Sequence, residues 1–420
     1  VSVIQQITVE IRKKLSNQFI RNLSWLGVAE IIYRAMRFAI VIIMAKYLTE
    51  YDYGLGAILM TVREFAITFS NFGIGAKIIQ AEEKELKDLC HSAYCLNWVI
   101  FVSLFLIQCS IAYPVALVKN TPEIILPICV SAIPYLVWPL ASIQKTLIQK
   151  ENNFKVIALT DSLQFSLASI LSAAFAVNGM GVWSFALPAV IVAPLEIFVY
   201  HKYHRWQPSN KFTTKNWREI WDFGKNILGI GLLKTFRNNL DYIVIFSLLG
   251  VKELGTYFFG FNAGLGISLS IINAINSAIL PHLCSARTDE KEFENTYFKS
   301  LKIISLIIIP FVLFQSSVAQ FYIPIIDQKW IPAIPIVVLI CLSAIPRPFA
   351  DAASQLLVAV GKPQLDLIWN AIFTSIFGIA LVIGVNWNIL GVAAAVLIAH
   401  LVCLPLFSLW TTRYVFGKKG

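Results

Sequence analysis

The chain is a succession of apolar runs separated by short polar connections. The runs fall at 23–45, 54–76, 92–113, 124–144, 156–177, 181–200, 223–249, 255–280, 300–322, 331–358, 365–385 and 388–410. Each is close to the 20 or so residues needed to cross a bilayer core. The pattern predicts an all-α, polytopic membrane protein with twelve transmembrane helices. The connections alternate in charge. The N-terminus, the even-numbered connections and the C-terminus hold 22 of the 34 Lys and Arg, and the odd-numbered connections hold four. Basic residues collect on the cytoplasmic side of a membrane, so both termini are expected there.

Several runs are not uniformly apolar. The first, 24–48, carries Glu30, Arg34 and Arg37. Their spacing of i, i+4, i+7 puts all three on one helix face. An ionisable group at mid-bilayer costs roughly 2.5–3.5 kcal/mol on insertion scales, so such a stripe must face something wet or charged. The seventh run repeats the pattern with Lys234, Arg237, Asn238 and Asp241. The second adds Arg63 and Glu64, and the tenth adds Arg347, Asp351 and Gln355. We read Glu30, Arg34, Arg37, Arg63, Lys234, Arg237, Asn238, Asp241, Arg347 and Asp351 as the lining of a water-filled, net-positive cavity. Its guanidinium forks suit phosphate oxygens. The competing reading is structural pairing, Glu30 with Arg34 and Arg347 with Asp351, each one turn apart. Glu196, near a helix end, is expected to snorkel. Asp161, Asp241, Asp351 and His400 are candidates to bind a coupling ion, H+ or Na+.

The two halves are related. Ile128-Cys-Val-Ser-Ala-Ile-Pro134 recurs as Ile340-Cys-Leu-Ser-Ala-Ile-Pro346, and Asp52-Tyr-Gly54 pairs with Glu253-Leu-Gly255. Gly181-Val182 pairs with Gly391-Val392 in the same order. This predicts a 6+6 duplication. Six helices per half is an even number, so the lobes should be related by an axis along the membrane normal, with a central cavity between them. The expected divisions are a cytoplasmic segment 1–21, an N-lobe 22–200, a cytoplasmic linker 201–221, a C-lobe 222–411 and a tail 412–420. The segment 1–21 is too polar to hold the apolar core of a signal peptide.

Composition narrows the function. Of 420 residues, 57% are hydrophobic and 14% charged, against about a quarter charged in soluble domains. The net charge of +10 follows from the basic connections and gives no reason to invoke nucleic acid. There is no GxxxxGK[ST], HExxH or GxSxG motif and no metal-spaced His/Cys cluster, so no enzyme and no cofactor is expected. The outer connections are too short to carry the catalytic groups of a membrane polymerase.

Leu48-Thr-Glu-Tyr-Asp-Tyr-Gly-Leu-Gly56 followed by Phe72-Gly-Ile-Gly-Ala-Lys-Ile-Ile-Gln80 resembles the opening helical pair of the Wzx-type oligosaccharide flippases. These form the polysaccharide transporter family of the multidrug/oligosaccharidyl-lipid/polysaccharide (MOP) superfamily. Leu147-Ile-Gln-Lys-Glu-Asn-Asn-Phe-Lys155, Gly181-Val-Trp-Ser-Phe185, Ile279-Leu-Pro-His-Leu283 and Gly361-Lys-Pro363 extend the resemblance over about residues 20–410. It implies two six-helix lobes around a cavity lined mainly by the first, second, seventh and eighth helices. It implies a bacterial inner-membrane protein that moves undecaprenyl-pyrophosphate-type, lipid-linked oligosaccharide outward for O-antigen, capsule or exopolysaccharide, alongside polymerase and chain-length proteins. The rivals are a cation-coupled multidrug exporter of the same superfamily, a lipid II flippase, and a polymerase or ligase using the same glycan.

Overall fold

The computed structural model describes residues 40–70, 72–209, 212–285 and 289–417. Among these every regular element is a helix. After a helical run at 40–47, the first half holds α1 (Glu50–Ser70), α2 (Ile74–Gln80), α3 (Glu83–Lys119), α4 (Ile125–Ser131), α5 (Pro134–Val137), α6 (Pro139–Lys150), α7 (Phe154–Val177), α8 (Trp183–Val192) and α9 (Pro194–Tyr203). The second half holds α10 (Trp217–Leu248), α11 (Val251–Ser285), α12 (Glu290–Ile326), α13 (Ile334–Ser343), α14 (Arg347–Ala359), α15 (Pro363–Gly384) and α16 (Asn388–Phe416). Every apolar run from the second to the twelfth is matched by a helix or a broken helix.

Six helical stretches among the described residues are long and apolar enough to cross a membrane, and a seventh qualifies if a bent pair is one span. One of the six, Pro363–Phe416, contains two of the sequence runs, because α15 and α16 fold back on each other. α1 and α10 are not among the six; they are the helices that carry Arg63, Glu64, Lys234, Arg237 and Asp241. The polar stripes thus lower the apolarity of the helices that hold them.

Proline decides where spans break. It removes a helix hydrogen bond and its ring clashes with the preceding turn. Pro134 and Pro139 split the fourth span, and Pro122–Val137 meets Pro139–Lys150 at 54°. Pro346 lies at the short break between α13 and α14, which still run on as one stretch, Gln328–Ala359. The repeat is visible in these breaks. Ser131 Oγ donates to Ile128 O at 2.8 Å, and Ser343 Oγ donates to Ile340 O at 2.8 Å. At the next residue, Ala132 N–H reaches Cys129 O and Ala344 N–H reaches Cys341 O.

Contacts define two ends of the bundle. At one, here the basic end, Lys77 pairs with Glu219 at 2.6 Å and Lys215 with Asp88 at 3.1 Å. Tyr297 of α12 and Thr412 of α16 meet at the same end. At the other, the clamped end, Lys252 pairs with Glu50 at 3.0 Å. The hydrogen bond to Glu50 holds the Lys252 ammonium above its ordinary pKa. Trp330, fully buried, donates its indole N–H to Ala45 O at 2.7 Å and stacks on Phe259 at 4.1 Å, while Tyr53 meets it edge-on at 4.9 Å.

The lobes meet along α1, which packs on both α10 and α11. Gly54 of α1 and Gly255 of α11 are the repeat-equivalent glycines, and they touch. A Cβ on Gly255 would run into Glu50 O and lie 2.7 Å from Gly54 N, and one on Gly54 would run into Val251 O. Small residues let membrane helices approach this closely. Away from that crossing the α1–α10 seam is polar, with Thr61 Oγ1 donating to Asn239 Oδ1 at 3.1 Å and the Thr68 and Thr235 hydroxyls 2.7 Å apart.

Gly255→Leu should lower the thermal midpoint of the purified protein, since overpacking costs about 1–3 kcal/mol. Gly229→Ala, where an added Cβ meets nothing within 4 Å, should leave it unchanged. Equal midpoints for the two variants would contradict the backbone contact. At the aromatic cluster, Trp330→Ala should reduce folded yield far more than Trp330→Phe, because truncating a buried aromatic costs about 3–5 kcal/mol. Size-exclusion profiles of the two variants report the difference.

Candidate functional site

The stripe on α10 behaves as its spacing requires. Lys234, Arg237, Asn238 and Asp241 all line one cavity of about 430 Å³. Arg347 and Asp351 of α14 form the facing wall, and Asp366 and Asn370 of α15 close one side. α16 supplies His400, Leu404 and Phe407, and α1 supplies Glu64. The helix period explains each grouping, because residues three, four and seven apart share a face.

Polar groups in the cavity hold one another. Arg237 donates to Asn370 Oδ1, and its guanidinium lies 5.8 Å from the centre of the Phe373 ring. It also feels the carboxylates of Asp351 and Asp366. Asn370 is itself fixed, donating to Asp366 O at 2.8 Å. Asp241 is 3% exposed and accepts from Tyr257 Oη at 2.8 Å and from the Tyr242 N–H at 2.9 Å. Arg347 is attracted to both Asp241 and Asp351. The competing pairing of Arg347 with Asp351 therefore describes one edge of a four-membered charge network that Arg237 and Asp241 complete.

Three buried polar atoms in this lining have no hydrogen-bond partner among the described residues: Arg347 Nε, Asp366 Oδ1 and His400 Nδ1. Buried polar groups are nearly always satisfied, so these point to water or a polar ligand. His400, 4% exposed, packs its ring against Phe373 and Phe377 at 5.7 and 5.6 Å.

Three expectations from the sequence change here. First, Arg63 is not in the cavity. Its neighbour Glu64 is, and one residue is a turn of about 100° on a helix. Arg63 lies instead beside Tyr135, in the interior of the N-lobe. There Tyr135 Oη donates to Gln108 Oε1, and Gln108 Nε2 donates to Ile128 O and Ser131 Oγ, all at 2.9 Å. Second, the described lining is not net positive. It holds the carboxylates of Glu64, Asp241, Asp351 and Asp366 against the bases Lys234, Arg237 and Arg347. Third, the lining comes chiefly from α10, α14, α15 and α16, with Phe261 and Ile272 from α11 and one residue from α1. Glu30, Arg34 and Arg37, and with them most of the first span, lie outside the described residues.

Glu196 does not snorkel. Lys145 of α6 lies 3.2 Å from Asp161 of α7 and 3.8 Å from Glu196 of α9. Tyr200 Oη approaches Asp161 at 3.4 Å. This cluster joins three helices of the N-lobe. No single-helix periodicity could have signalled it, since the partners are 16 or more positions apart in the chain.

The chain is 23% identical to the lipopolysaccharide biosynthesis protein WzxC of Escherichia coli K12, over 88% of this chain and 76% of that one. Among solved structures it resembles the inward-facing form of a multidrug resistance transporter of the MATE family, MOP superfamily. The TM-score is 0.74 at 14% identity, covering 91% of this chain and 94% of that one. It also resembles the lipid II flippase MurJ in an inward closed conformation, with a TM-score of 0.73 at 14% identity, covering 93% and 87%. The profile of the polysaccharide biosynthesis proteins matches residues 43–335, and this chain belongs to that family.

Proposed function

We propose that this protein is a flippase that carries oligosaccharide on an undecaprenyl-pyrophosphate-type lipid from the cytoplasmic to the outer leaflet of a bacterial inner membrane. The observation that carries the reading is the cavity itself: interleaved Arg, Lys, Asp and Asn side chains with an aromatic wall, inside an apolar helical bundle. A simple anion trap needs only positive charge. A glycan phosphate needs more. Its phosphate asks for guanidinium or ammonium donors, and its hydroxyls ask for donors and acceptors together. Asp351, Asp366 and Asn370 beside Arg237 offer both. WzxC is named as a lipopolysaccharide biosynthesis protein, which agrees with this.

Transport is by alternating access. The lobes are held together at the clamped end by Glu50 with Lys252, by the Gly54–Gly255 crossing and by Trp330. The cavity extends from Asp241 and His400 toward the basic end, where α15 begins at Asp366 and its neighbours. If the basic end is cytoplasmic, as the charge asymmetry of the connections suggests, this form receives cargo from inside. Asp241, buried and held by Tyr257, is the carboxylate best placed to bind a coupling proton. Export would feed polymerase and chain-length proteins on the outer side. No step requires a bond to be made or broken, so no enzymatic activity is invoked.

The excess of carboxylates over bases in the described lining favours one rival, export of cationic drugs. Leaflet labelling separates the two. In spheroplasts of a deletion strain, an impermeant lectin should detect lipid-linked glycan lost from the outer leaflet while it accumulates inside. Unchanged leaflets with increased drug sensitivity would favour the rival.

Arg237→Ala and Lys234→Ala should cut glycan export at normal protein levels. The expected loss is about ten- to a hundredfold, the scale of a lost hydrogen bond to a charged group. Wild-type export in both would remove the cavity from the mechanism. Asp241→Asn preserves shape and removes the titratable group; it should abolish the dependence of export on the proton gradient, measured with and without an uncoupler. Glu50→Cys with Lys252→Cys, bridged by a reducible bifunctional thiol reagent, should stop export until reductant is added.

A further inference from the structure

Two charges in the cavity lining are left over. Arg237, Arg347, Asp241, Asp351 and Asp366 act on one another, and Asn370 and Tyr257 add hydrogen bonds to that network. Glu64 and Lys234 stand outside it. Both line the cavity, and among the described residues neither side chain has an ion pair or a hydrogen bond. They come from opposite halves of the chain. Glu64 is the only described residue of the first half in the lining, and Lys234 belongs to the second.

Helix register puts the two at one level. Thr61, Glu64 and Thr68 are spaced i, i+3, i+7 and share a face of α1. That face meets α10: Thr61 Oγ1 donates to Asn239 Oδ1 at 3.1 Å, and the Thr68 and Thr235 hydroxyls lie 2.7 Å apart. Glu64 is therefore bracketed by contacts to positions 235 and 239, level with Lys234, Arg237 and Asn238. Its carboxylate also acts on Tyr242, which shares the face of Thr235 and Asn239. A lone ionic group inside an apolar bundle is costly. One ligand with complementary groups would satisfy both charges at once.

The chemistry of the two groups differs. Lys234 suits a phosphate, as a compact charge on a flexible stem. A carboxylate only accepts hydrogen bonds. It takes O–H bonds from sugar hydroxyls and repels a phosphate oxygen. A bare lipid carrier and a loaded one differ at this point. The terminal phosphate of the bare carrier ends in ionised oxygens. On the loaded carrier one of these oxygens is esterified to the first sugar, whose hydroxyls lie there instead. We propose that Glu64 tells loaded carrier from bare. It accepts the hydroxyls of the first sugar while Lys234 holds the phosphate, and it repels the additional charge of a bare pyrophosphate. Specific sites use such repulsion together with attraction. The inference rests on the flippase reading and deepens it by giving one residue the task of selection. Because the two groups lie on opposite halves, loaded cargo also bridges those halves.

The test uses the purified full-length protein in lipid nanodiscs and two probes: undecaprenyl pyrophosphate without sugar, and the glycan-bearing lipid extracted from the native host. Glu64→Gln keeps the size of the side chain and removes its charge. It breaks no described side-chain bond, so the variant should fold. It should bind the glycan-bearing lipid about five- to tenfold more weakly, the scale of a weakened hydrogen bond to a charged group. It should bind the sugar-free lipid more tightly, by about the same factor. Glu64→Asp, which keeps the charge, should still prefer the glycan-bearing lipid. Lys234→Ala should weaken both probes. A Glu64→Gln variant that weakens both probes, as a merely structural role would, or that shifts neither, would overturn the assignment. Wild-type protein that binds neither lipid would instead overturn the flippase reading, and the assignment with it.

Discussion

A charge in an apolar bundle must find a partner, and that constraint arranges most of this structure. Ions taken out of water lose several kcal/mol each even after relaxation, on the order of 20 in the idealised limit. Arg237 and Arg347 are both drawn to Asp351, and Arg347 also to Asp241. The partners come from α10 and α14, so satisfying them fixes how these two helices face. Asp241 then holds Tyr257 of α11, and Arg237 holds Asn370 of α15. The same network that orients the C-lobe helices also lines the cavity, so folding and function draw on one set of contacts.

The N-lobe solves the problem differently. Lys145 sits between Asp161 and Glu196, and its ammonium lies 5.6 Å from the centre of the Tyr200 ring. Arg63 lies near Tyr135, whose hydroxyl donates to Gln108. Both groups are turned away from the cavity. The two lobes share a helical plan and differ in where they keep their charges, so the described cavity is almost wholly a property of the second half.

This difference marks what was legible in the sequence. Spans two to twelve were legible because a bilayer fixes helix length, and apolar runs report it directly. The α10 stripe was legible because all four residues lie on one helix, whose period places them on one face. Glu64, Asp366 and Asn370 are polar residues within apolar runs, yet the sequence does not mark them as parts of the site, because periodicity says which face a residue is on and nothing about the neighbour that face meets. Arg63 shows the limit sharply: a single position separates it from Glu64, yet the two point into different lobes. The Lys145 cluster joins three helices and so has no signature on any one of them. The sign of the cavity's charge depended on all of these assignments at once.

Gly54 and Gly255 match in the internal repeat and also meet in space. In a symmetric dimer the only residues that can touch their own equivalents are those on the two-fold axis. A contact between repeat-equivalent glycines is therefore what a six-helix ancestor would leave behind if it paired with a second copy through that residue before the gene was duplicated and fused. In such a pair the two-fold axis would run through the point where α1 and α11 cross.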